Sequence, residues 1–187
     1  MSETIKTDKQ PHLIISAPSG AGKTTLIREL LKTDPKFQLA VSMTTRPKRS
    51  LETEGKDYYF SDIPTFQDYI AKEKFLEHAK IYSNYYGTPK SELLRLKDFR
   101  IIFDVDIHGM RQIKQNLPSA KSIFITPPSL ATLEQRLITR AQDTAEVIKE
   151  RVALAQRDMS YQNEYDYIVL NDCLKTATCN MRDIVKL

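Results

Sequence analysis

The sequence has little cysteine, few glycines and no tryptophan: two Cys, five Gly and no Trp among 187 residues. The two cysteines, Cys173 and Cys179, do not make the framework of a disulfide-rich protein, so we expect a reducing, cytoplasmic setting. Long apolar runs are also missing, which argues against a membrane-spanning helix. Residues 1–11 lack the apolar segment of a signal peptide, and we expect them to form a disordered lead-in.

The charge balance is only mildly basic, with 28 Lys and Arg against 24 Asp and Glu and a formal net charge of +4. Such an excess fits a ligand that carries phosphate as well as it fits nucleic acid. The basic residues are dispersed and form no stripe interleaved with aromatics, which argues against a nucleic-acid-binding ATPase. A chain of this length and an ordinary hydrophobic content of 41% favours one compact domain.

Short apolar runs alternate with helical patterns along most of the chain. This alternation predicts an α/β fold with a mainly parallel sheet flanked by helices. Strands are predicted at His12–Ser16, Phe37–Met43, Arg100–Asp106, Lys121–Thr126 and Tyr167–Asn171. Helices are predicted at Lys23–Lys32, Ile107–Asn116, Leu130–Arg140 and Ala145–Tyr165.

The stretch 46–91 differs from the rest of the chain. It carries two pairs of tyrosines, short strand-like pieces and one helical pattern after Pro64. We therefore expect an insertion at 46–91 within a core formed by 12–45 and 92–187. The insertion joins core strands and is not expected to fold separately.

The segment A-P-S-G-A-G-K-T, Ala17–Thr24, stands between a predicted strand and a predicted helix. It matches the phosphate-loop pattern G-x-x-x-x-G-K-[ST] except at the first position, where alanine replaces glycine. Glycines let successive N–H groups turn into one anion-binding concavity, and the following helix adds the positive end of its dipole. Lys23 then places a charge on the β- and γ-phosphates, and the Thr24 hydroxyl can ligate Mg²⁺. The loop predicts a nucleoside triphosphate site rather than a plain strand-to-helix turn.

A second basic segment, S-M-T-T-R-P-K-R at Ser42–Arg49, overlaps the end of the second predicted strand. Arg46 and Arg49 lie three residues apart around a proline, and the planar guanidinium fork matches a phosphate. The pair predicts a clamp for a monophosphate, and the alternative is a solvated basic loop. Asp104 lies near the end of an apolar strand, where acidic residues of phosphate-loop enzymes meet Mg²⁺, often through water.

Six motifs in fixed order resemble those of the guanylate kinase family. They are A-P-S-G-A-G-K-T (17–24), S-x-T-T-R-x-x-R (42–49), G-x-D-Y (55–58), F-x-E (75–77), N-Y-Y-G-T (84–88) and D-x-D-x-x-G (104–109). The resemblance continues to the C-terminus and covers almost the whole chain. It implies transfer of the γ-phosphoryl group of ATP to GMP, and to dGMP, with Mg²⁺. It also implies a parallel core, a mixed α/β GMP-binding insertion and a small helical lid at about 136–151.

The resemblance also assigns roles to the residues at matching positions. ATP binding falls to Ala17, Pro18, Ser19, Gly20, Ala21, Gly22, Lys23, Thr24, Thr25, Arg136 and Asn171. GMP binding falls to Ser42, Arg46, Arg49, Tyr58, Glu77, Tyr86, Thr88, Asp104 and Asp106. The expected catalytic residues are Lys23, Arg46, Arg49, Arg140 and Arg151, and the expected metal ligands are Thr24 and Asp104, the latter through water.

The chemistry of guanine supports the role given to Glu77. Guanine presents N1–H and the N2 amino group side by side, and one carboxylate can accept both hydrogen bonds. Adenine has no hydrogen at N1, so bound AMP would leave Glu77 buried without partners, and sites of this kind reject such an analogue by about 10⁴–10⁵. Each residue also has a structural interpretation when it is taken alone. Glu77 could be a surface carboxylate, Tyr58 and Tyr86 half-buried packing residues, and Thr88 a turn hydroxyl.

Two other functions stay open at this point. A nucleoside monophosphate kinase for AMP or dTMP would share the phosphate loop and lid but differ at Ser42, Glu77 and Thr88. A non-catalytic interaction module of the same fold would typically have an eroded phosphate loop in a longer, multidomain chain. Four positions depart from the family pattern: His108, Thr139, Ala141 and Cys173. The choice between monomer and homo-oligomer is undetermined by the sequence.

Overall fold

The computed structural model describes residues 11–81, 83–139 and 144–186, which contain two sheets and seven α-helices. In chain order the elements are β1 (Leu13–Ser16), α1 (Lys23–Thr33), β2 (Phe37–Leu39), β3 (Met43–Thr44), β4 (Tyr59–Phe60), α2 (Ile63–Ala71), β5 (Phe75–Ile81), β6 (Asn84–Pro89), α3 (Ser91–Arg95), β7 (Arg100–Asp104), α4 (Ile107–Asn116), β8 (Lys121–Thr126), α5 (Leu130–Thr139), α6 (Ala145–Ser160), β9 (Tyr167–Leu170) and α7 (Leu174–Lys186). A 3₁₀ turn, Gln162–Glu164, joins α6 to β9. The predicted α/β class is confirmed.

The five-stranded sheet has the order β2-β7-β1-β8-β9, and every neighbouring pair is parallel. Its central strands are nearly continuous apolar runs because helices cover both faces. Along β1, Leu13 and Ile15 pack on one side with α1 and α7, whereas Ile14 packs on the other side with Phe103 and α4. The carboxyl ends of β1 and β7 lie side by side, since Ile15 pairs with Asp104.

The four-stranded sheet has the order β4-β3-β6-β5 and mixes parallel and antiparallel pairs. Helix α2 packs on it through Phe66, whose ring stacks on that of Phe75 with centroids 4.5 Å apart. Asp62 caps α2 by accepting the Thr65 N–H at 2.8 Å, and Pro64 stands in the first turn. The helix predicted after Pro64 is therefore confirmed.

The predicted strand Phe37–Met43 is wrong as a single strand, since its two ends belong to different sheets. The chain follows β7 as far as Ala40, whose N–H donates to Ile102 O at 2.9 Å. The next N–H, that of Val41, donates to the buried carboxylate of Glu92 at 2.7 Å, and the chain leaves the core sheet here. The prediction followed apolar content, whereas the break depends on a residue 51 positions away.

The predicted helix Ala145–Tyr165 ends early, at Ser160. Tyr165 is buried in the core, where its ring centroid lies 5.1 Å from that of Phe124. A straight continuation of α6 would carry this aromatic ring away from its position, so the chain turns before it. Burial of one aromatic side chain therefore overrides a helical pattern that continues in the sequence.

Helices α5 and α6 share a small hydrophobic cluster of Leu133, Leu137, Ile148 and Ala155. The cluster lies against the loop after β1, because a Cβ on Gly20 would come within 3.2 Å of the Leu137 side chain. The predicted lid falls on these two helices and stays a prediction, as do the predicted limits of core and insertion. Within the described ranges, no helix is long and apolar enough to cross a membrane.

Candidate active site

The phosphate-loop pattern forms the turn between β1 and α1. Gly20 and Gly22 both have φ of +94°, in the left-handed region that favours glycine. Gly22 is also the N-cap of α1, and a Cβ there would collide with the side-chain nitrogen of Asn171. Among the described non-glycine residues only Glu73 has a positive φ, so Ala17 fits the loop without backbone strain.

Lys23 opens α1 and forms an ion pair with Asp104 at the end of β7. Parallel pairing of β1 with β7 brings the two together, because it sets Asp104 beside Ile15, just before the loop. Both charged side chains are partly exposed, and the neighbouring residue Thr24 is exposed. The lysine of the loop and the acidic residue expected near the metal are therefore in direct contact.

A pocket of about 740 Å³ opens beside the glycines of the loop. Its walls come from the loop, α1, α5 and the start of α7, and its lining includes Gly20, Gly22, Thr25, Arg136 and Asn171. Asn171 is buried, and its Nδ2 donates to Ala21 O at 2.7 Å, while Arg136 Nη2 donates to Asn171 O at 2.9 Å. Asn171 thus fixes the main chain of the loop at Ala21, and Arg136 fixes the main chain of Asn171.

A second pocket, of about 400 Å³, is lined by residues of both sheets and by Lys23. The predicted site residues in its lining are Lys23, Ser42, Tyr58, Glu77, Tyr86, Asp104 and Asp106. The rings of Tyr58 and Tyr86 meet edge to face, with centroids 6.1 Å apart. The structure therefore gathers residues from distant parts of the chain around one cavity next to the phosphate loop.

Glu77 on β5 is the buried carboxylate of this second pocket, with 4% of its surface exposed. Its Oε1 accepts the Thr88 hydroxyl at 2.7 Å, and the Thr88 oxygen lies 3.4 Å from Ser42 Oγ. Burial raises the pKa of Glu77 to about 7; the Thr88 hydrogen bond opposes this rise and the charge of Asp106 adds to it. The carboxyl group is therefore close to its titration point at neutral pH.

Arg46 is held by Glu52 in a forked contact, with Nη1 and Nη2 at 3.1 and 2.7 Å from the two carboxylate oxygens. Nη1 also donates to Pro47 O at 2.8 Å, and the guanidinium carbon lies 5.4 Å from the centre of the Tyr58 ring. The hydrogen bond with Glu52 raises the pKa of Arg46, while burial opposes the rise. Glu52 thus engages the Nη1–Nη2 edge of the guanidinium, and a hydrogen bond with the Tyr86 side chain also raises the pKa of Arg46.

The other predicted cations are placed less directly. Arg49 donates its main-chain N–H to Glu52 at 2.8 Å, and the residue is exposed. Arg151 on α6 reaches the phosphate loop, where its Nη1 donates to Ser19 Oγ at 3.4 Å. Arg140 lies outside the described residues, so the structure does not place it.

Three of the four departures from the family pattern lie in described parts of the chain. His108 is exposed in the first turn of α4, and Cys173 is exposed just before α7. Thr139 lines the larger pocket, and its hydroxyl donates to Gln135 O at 2.8 Å within α5. Ala141 lies outside the described residues.

Comparison with known proteins gives one consistent result. The guanylate kinase family model matches residues 9–187. The chain is 45% identical over 175 residues to the guanylate kinase of Rickettsia prowazekii (strain Madrid E), a match covering 92% of this chain and 89% of the relative. It is 44% identical over 177 residues to the guanylate kinase of Escherichia coli (strain K12), covering 92% and 86%. A crystal structure of guanylate kinase from Anaplasma phagocytophilum matches with a TM-score of 0.75 at 28% identity, covering 94% of this chain and 84% of that one.

The chain belongs to the guanylate kinase family. Guanylate kinases are nucleoside monophosphate kinases, and they transfer the γ-phosphoryl group of ATP to GMP. The resemblance, the enzyme class and the reaction predicted from the sequence are confirmed. The identities of 44–45% to curated guanylate kinases favour this enzyme over a kinase for AMP or dTMP and over a non-catalytic interaction module.

Sequence reasoning missed three residues that hold the site of this guanylate kinase in shape. Glu52 binds Arg46, and Gln112 and Asn116 on α4 bond to the main chain of β5. Glu52 follows Arg49 by three residues, and an acidic residue in a basic loop was a signal that could have marked it. The i, i+4 spacing of Gln112 and Asn116 puts them on one helix face, but nothing local shows what that face meets.

Proposed function

We propose that the larger pocket binds ATP and the smaller one GMP, with Lys23 between them. The observation that supports this is the position of Lys23: the glycines of its loop line the larger pocket, and Lys23 itself lines the smaller one. A phosphoryl group that passes between the two nucleotides would then pass this ammonium group. In-line positioning and positive charge are what phosphoryl transfer requires from a protein.

The main-chain N–H groups of the loop and the N-terminus of α1 bind the phosphates of ATP in this proposal. The residues concerned run from Ala17 to Thr25. Arg136 and Asn171 lie on the adenine side of the pocket, and Asn171 also keeps the loop in shape through its bond to Ala21. The Gly22 position admits no larger residue, because Asn171 occupies the space.

Glu77 recognises guanine by accepting hydrogen bonds from N1–H and N2–H, and its carboxylate is ionised when it does so. Its orientation is set before a base arrives, because Oε1 already accepts the Thr88 hydroxyl. Ser42 lines the same pocket and offers a hydroxyl that can donate to O6. AMP lacks N1–H and carries an amino group in place of O6, so it would leave these buried groups unpaired.

The phosphate of GMP lies at the aromatic and basic end of the smaller pocket. Tyr58 and Tyr86 both line this end, and Arg46 lies beside the ring of Tyr58. The Nε–Nη2 edge of Arg46, which Glu52 does not engage, would give a phosphate a two-point contact beside Tyr86. We place Arg49 there as a second cation from its spacing in the sequence, and its exposed side chain has room to move.

Arg151, and by resemblance Arg140, act from the lid side. Arg151 already contacts Ser19 of the loop, so α6 lies next to the site of transfer. Closure of these helices over the phosphates would exclude water, so that GMP rather than water receives the γ-phosphoryl group. Together with Lys23 and Arg46, these residues supply positive charge where negative charge develops.

The donor groups beside Lys23 fit a magnesium ion that arrives with ATP. Asp104 offers a carboxylate and Thr24 a hydroxyl, and oxygen ligands with several retained waters are what Mg²⁺ prefers. When bound, the ion neutralises charge on the β- and γ-phosphates. Thr24 would hold it directly and Asp104 through water.

We extend the acceptor to dGMP, because the contacts proposed above reach the base and the phosphate rather than the ribose. A cytoplasmic location is also part of the proposal, and it suits the two free, exposed cysteines Cys173 and Cys179. The proposed partners are the two nucleotides, and not nucleic acid or a membrane.

The experiment that tests this proposal is a coupled assay of ADP formation from Mg·ATP. GMP, dGMP, AMP, dTMP or no acceptor is present in parallel reactions. We expect turnover with GMP and dGMP alone. Turnover with AMP or dTMP would overturn the role of Glu77, and rapid ADP formation without an acceptor would overturn the proposed exclusion of water.

A further inference from the structure

Strand β5, which carries Glu77, is an edge strand of the four-stranded sheet. It pairs with β6 on one side, and helix α4 of the core runs along the other side. The N–H and C=O groups on the open side of an edge strand need other partners when they are shielded from water. The partners that α4 supplies therefore determine how the strand is held.

Two amide side chains on α4 bond to this open side. Gln112 Oε1 accepts the His78 N–H at 3.1 Å and its Nε2 donates to His78 O at 3.0 Å, so one side chain pairs with both groups of one residue. One turn further along, Asn116 Nδ2 donates to Leu76 O at 2.9 Å. The two contacts fall on the residues directly before and after Glu77.

The first turn of the same helix lies against the carboxylate itself. Asp106 caps α4 by accepting the Gly109 N–H at 2.9 Å. A Cβ on Gly109 would lie 3.0 Å from Glu77 Oε2, so this oxygen faces the helix while Oε1 is held by Thr88. Helix α4 is thus the common support for Asp106, which lines the smaller pocket, and for the strand that carries Glu77.

We propose that Gln112 and Asn116 are positioning residues for guanine recognition, which act by holding the main chain of β5 on either side of Glu77. The inference rests on the role proposed above for Glu77. A carboxylate accepts N1–H and N2–H together only when it lies in line with both, and a misplacement of about 1 Å can reduce a rate by about 10²-fold. Glu77 lies on the four-stranded sheet, whereas Lys23 opens α1 and Asp104 ends β7 of the core. Because Gln112 and Asn116 join α4 of the core to β5, they set the distance between the two halves of the pocket.

The test compares Gln112→Leu with Gln115→Leu, which removes an exposed glutamine from the same helix. KM for GMP, KM for ATP, kcat and the melting temperature are measured for each. IMP is used as a second acceptor, because it keeps N1–H and O6 but lacks the 2-amino group. The ratio of kcat/KM for GMP to that for IMP therefore reports the bond from N2–H to Glu77.

We expect Gln112→Leu to raise KM for GMP about tenfold, to reduce the GMP-to-IMP ratio about threefold or more, and to leave KM for ATP within about twofold. Gln112→Glu keeps the acceptor for the His78 N–H and loses the donor to His78 O, so its effect should be intermediate. Asn116→Leu should shift KM for GMP in the same direction by a smaller factor. Gln115→Leu should match the wild type in all of these measurements.

Glu77→Gln is measured in parallel, so that two kinds of failure can be told apart. If Glu77→Gln leaves the preference for GMP unchanged, the role proposed for Glu77 is wrong and this inference fails with it. If Glu77→Gln weakens GMP while Gln112→Leu changes only the melting temperature, or changes GMP and ATP kinetics equally, the amides are merely structural. Should Gln112→Leu fail to fold, Gln112→Glu and Asn116→Leu decide by the same criteria.

Discussion

At the scale of single residues, the recognition role proposed for Glu77 and the stability of the fold require opposite protonation states of one carboxyl group. Burial raises its pKa from the ordinary value of 4.5 to about 7, so the folded protein holds this proton more tightly than the unfolded chain does. The stability that the proton contributes is fully present below pH 4.5 and is lost as the pH rises through 7. The proposed recognition of guanine, however, needs the ionised carboxylate of Glu77 as its acceptor.

We expect Glu77→Gln to be more stable than the wild type at pH 8, by on the order of 3 kcal/mol, and equally stable near pH 4. The amide avoids a buried charge at high pH, and its oxygen can still accept the Thr88 hydroxyl. Urea unfolding at the two pH values measures the difference. Glu134→Gln, which changes an exposed residue on α5, is the control and should show no such pH dependence. A difference that is the same at both pH values would contradict the ionisation of Glu77 as its cause.

Binding of GMP should weaken as the pH falls below 7, by about tenfold for each pH unit, because protonated Glu77 cannot accept both hydrogen bonds. Isothermal titration calorimetry between about pH 5.5 and 8 measures this directly. The phosphate of GMP also titrates, with a second pKa of about 6. In Glu77→Gln, GMP affinity should change with pH only through titration of the phosphate. If GMP affinity depends on pH in the same way in both proteins, Glu77 is not the titrating group.

Lys23→Ala should reduce kcat by about 10²–10³, because the reacting phosphates lose their closest proposed cation. The melting temperature should change little, since the ion pair with Asp104 is partly exposed. Lys32→Ala removes an exposed lysine from the last turn of the same helix and should keep wild-type kcat. Near-normal turnover of Lys23→Ala in the coupled assay would remove Lys23 from the catalytic residues.

At the scale of elements, the sequence predicted what local patterns decide. The prediction places β1 within one residue of its ends and gives both ends of α4 correctly, because apolar runs and a helical period determine them. The prediction gives no helix for α7. It also joins β2 to β3 in one strand, because the break between these two strands depends on Glu92, far along the chain. The residues of the candidate site also differ in whether local sequence identifies them. The phosphate loop and Glu77 belong to motifs, whereas Gln112 acts across a contact that no motif records.

Glu92→Leu should lower the free energy of unfolding by about 3 kcal/mol, because it leaves buried donors unpaired. Glu92 is 1% exposed and accepts the Val41 N–H at 2.7 Å, the Tyr59 hydroxyl at 3.0 Å and Arg95 Nε at 2.7 Å. Burial by itself would raise the pKa of Glu92, but the hydrogen bonds from Arg95, Val41 and Tyr59 hold that pKa below its ordinary value. This single carboxylate of α3 thus holds the connection between β2 and β3 and the strand β4.

Urea unfolding at neutral pH measures the effect. Arg95→Met is the matched comparison and should have a smaller effect, because the Val41 N–H and the Tyr59 hydroxyl keep their acceptor in this variant. An equal loss of stability in the two variants would show that the ion pair, rather than the buried hydrogen bonds, supports this junction.

At the scale of the whole molecule, one buried cation joins the beginning and the end of the described chain. Arg100 opens β7 with 6% of its surface exposed, and its guanidinium lies 4.3 Å from the centre of the Phe37 ring. Nε donates to Pro11 O at 3.2 Å and Nη1 donates to Val185 O at 3.0 Å. The contact lies at the amino edge of the core sheet, opposite the carboxyl edge where Asp104 and the phosphate loop are found.

Arg100→Met should therefore destabilise the whole fold, by about 2–3 kcal/mol, because the buried Val185 carbonyl and the partly buried Pro11 carbonyl lose their donor. Activity per folded molecule should be unchanged, since the site lies at the other edge of the sheet. Arg111→Met, which breaks an exposed ion pair with Glu164, is the control and should leave the unfolding midpoint almost unchanged. Reduced kcat in fully folded Arg100→Met would show that the two edges are coupled.

Gly109 limits which substitutions could change the base preference of the smaller pocket during evolution. A methyl group there would lie 3.0 Å from Glu77 Oε2 and 2.8 Å from Val105 Cβ, so even alanine disturbs the carboxylate. If Glu77 is replaced first by a residue that lacks an acceptor, the Thr88 hydroxyl loses its hydrogen-bond acceptor, and α4 still packs against this position. On the role proposed for Glu77, a first change at either position would weaken guanine binding before it favoured another base.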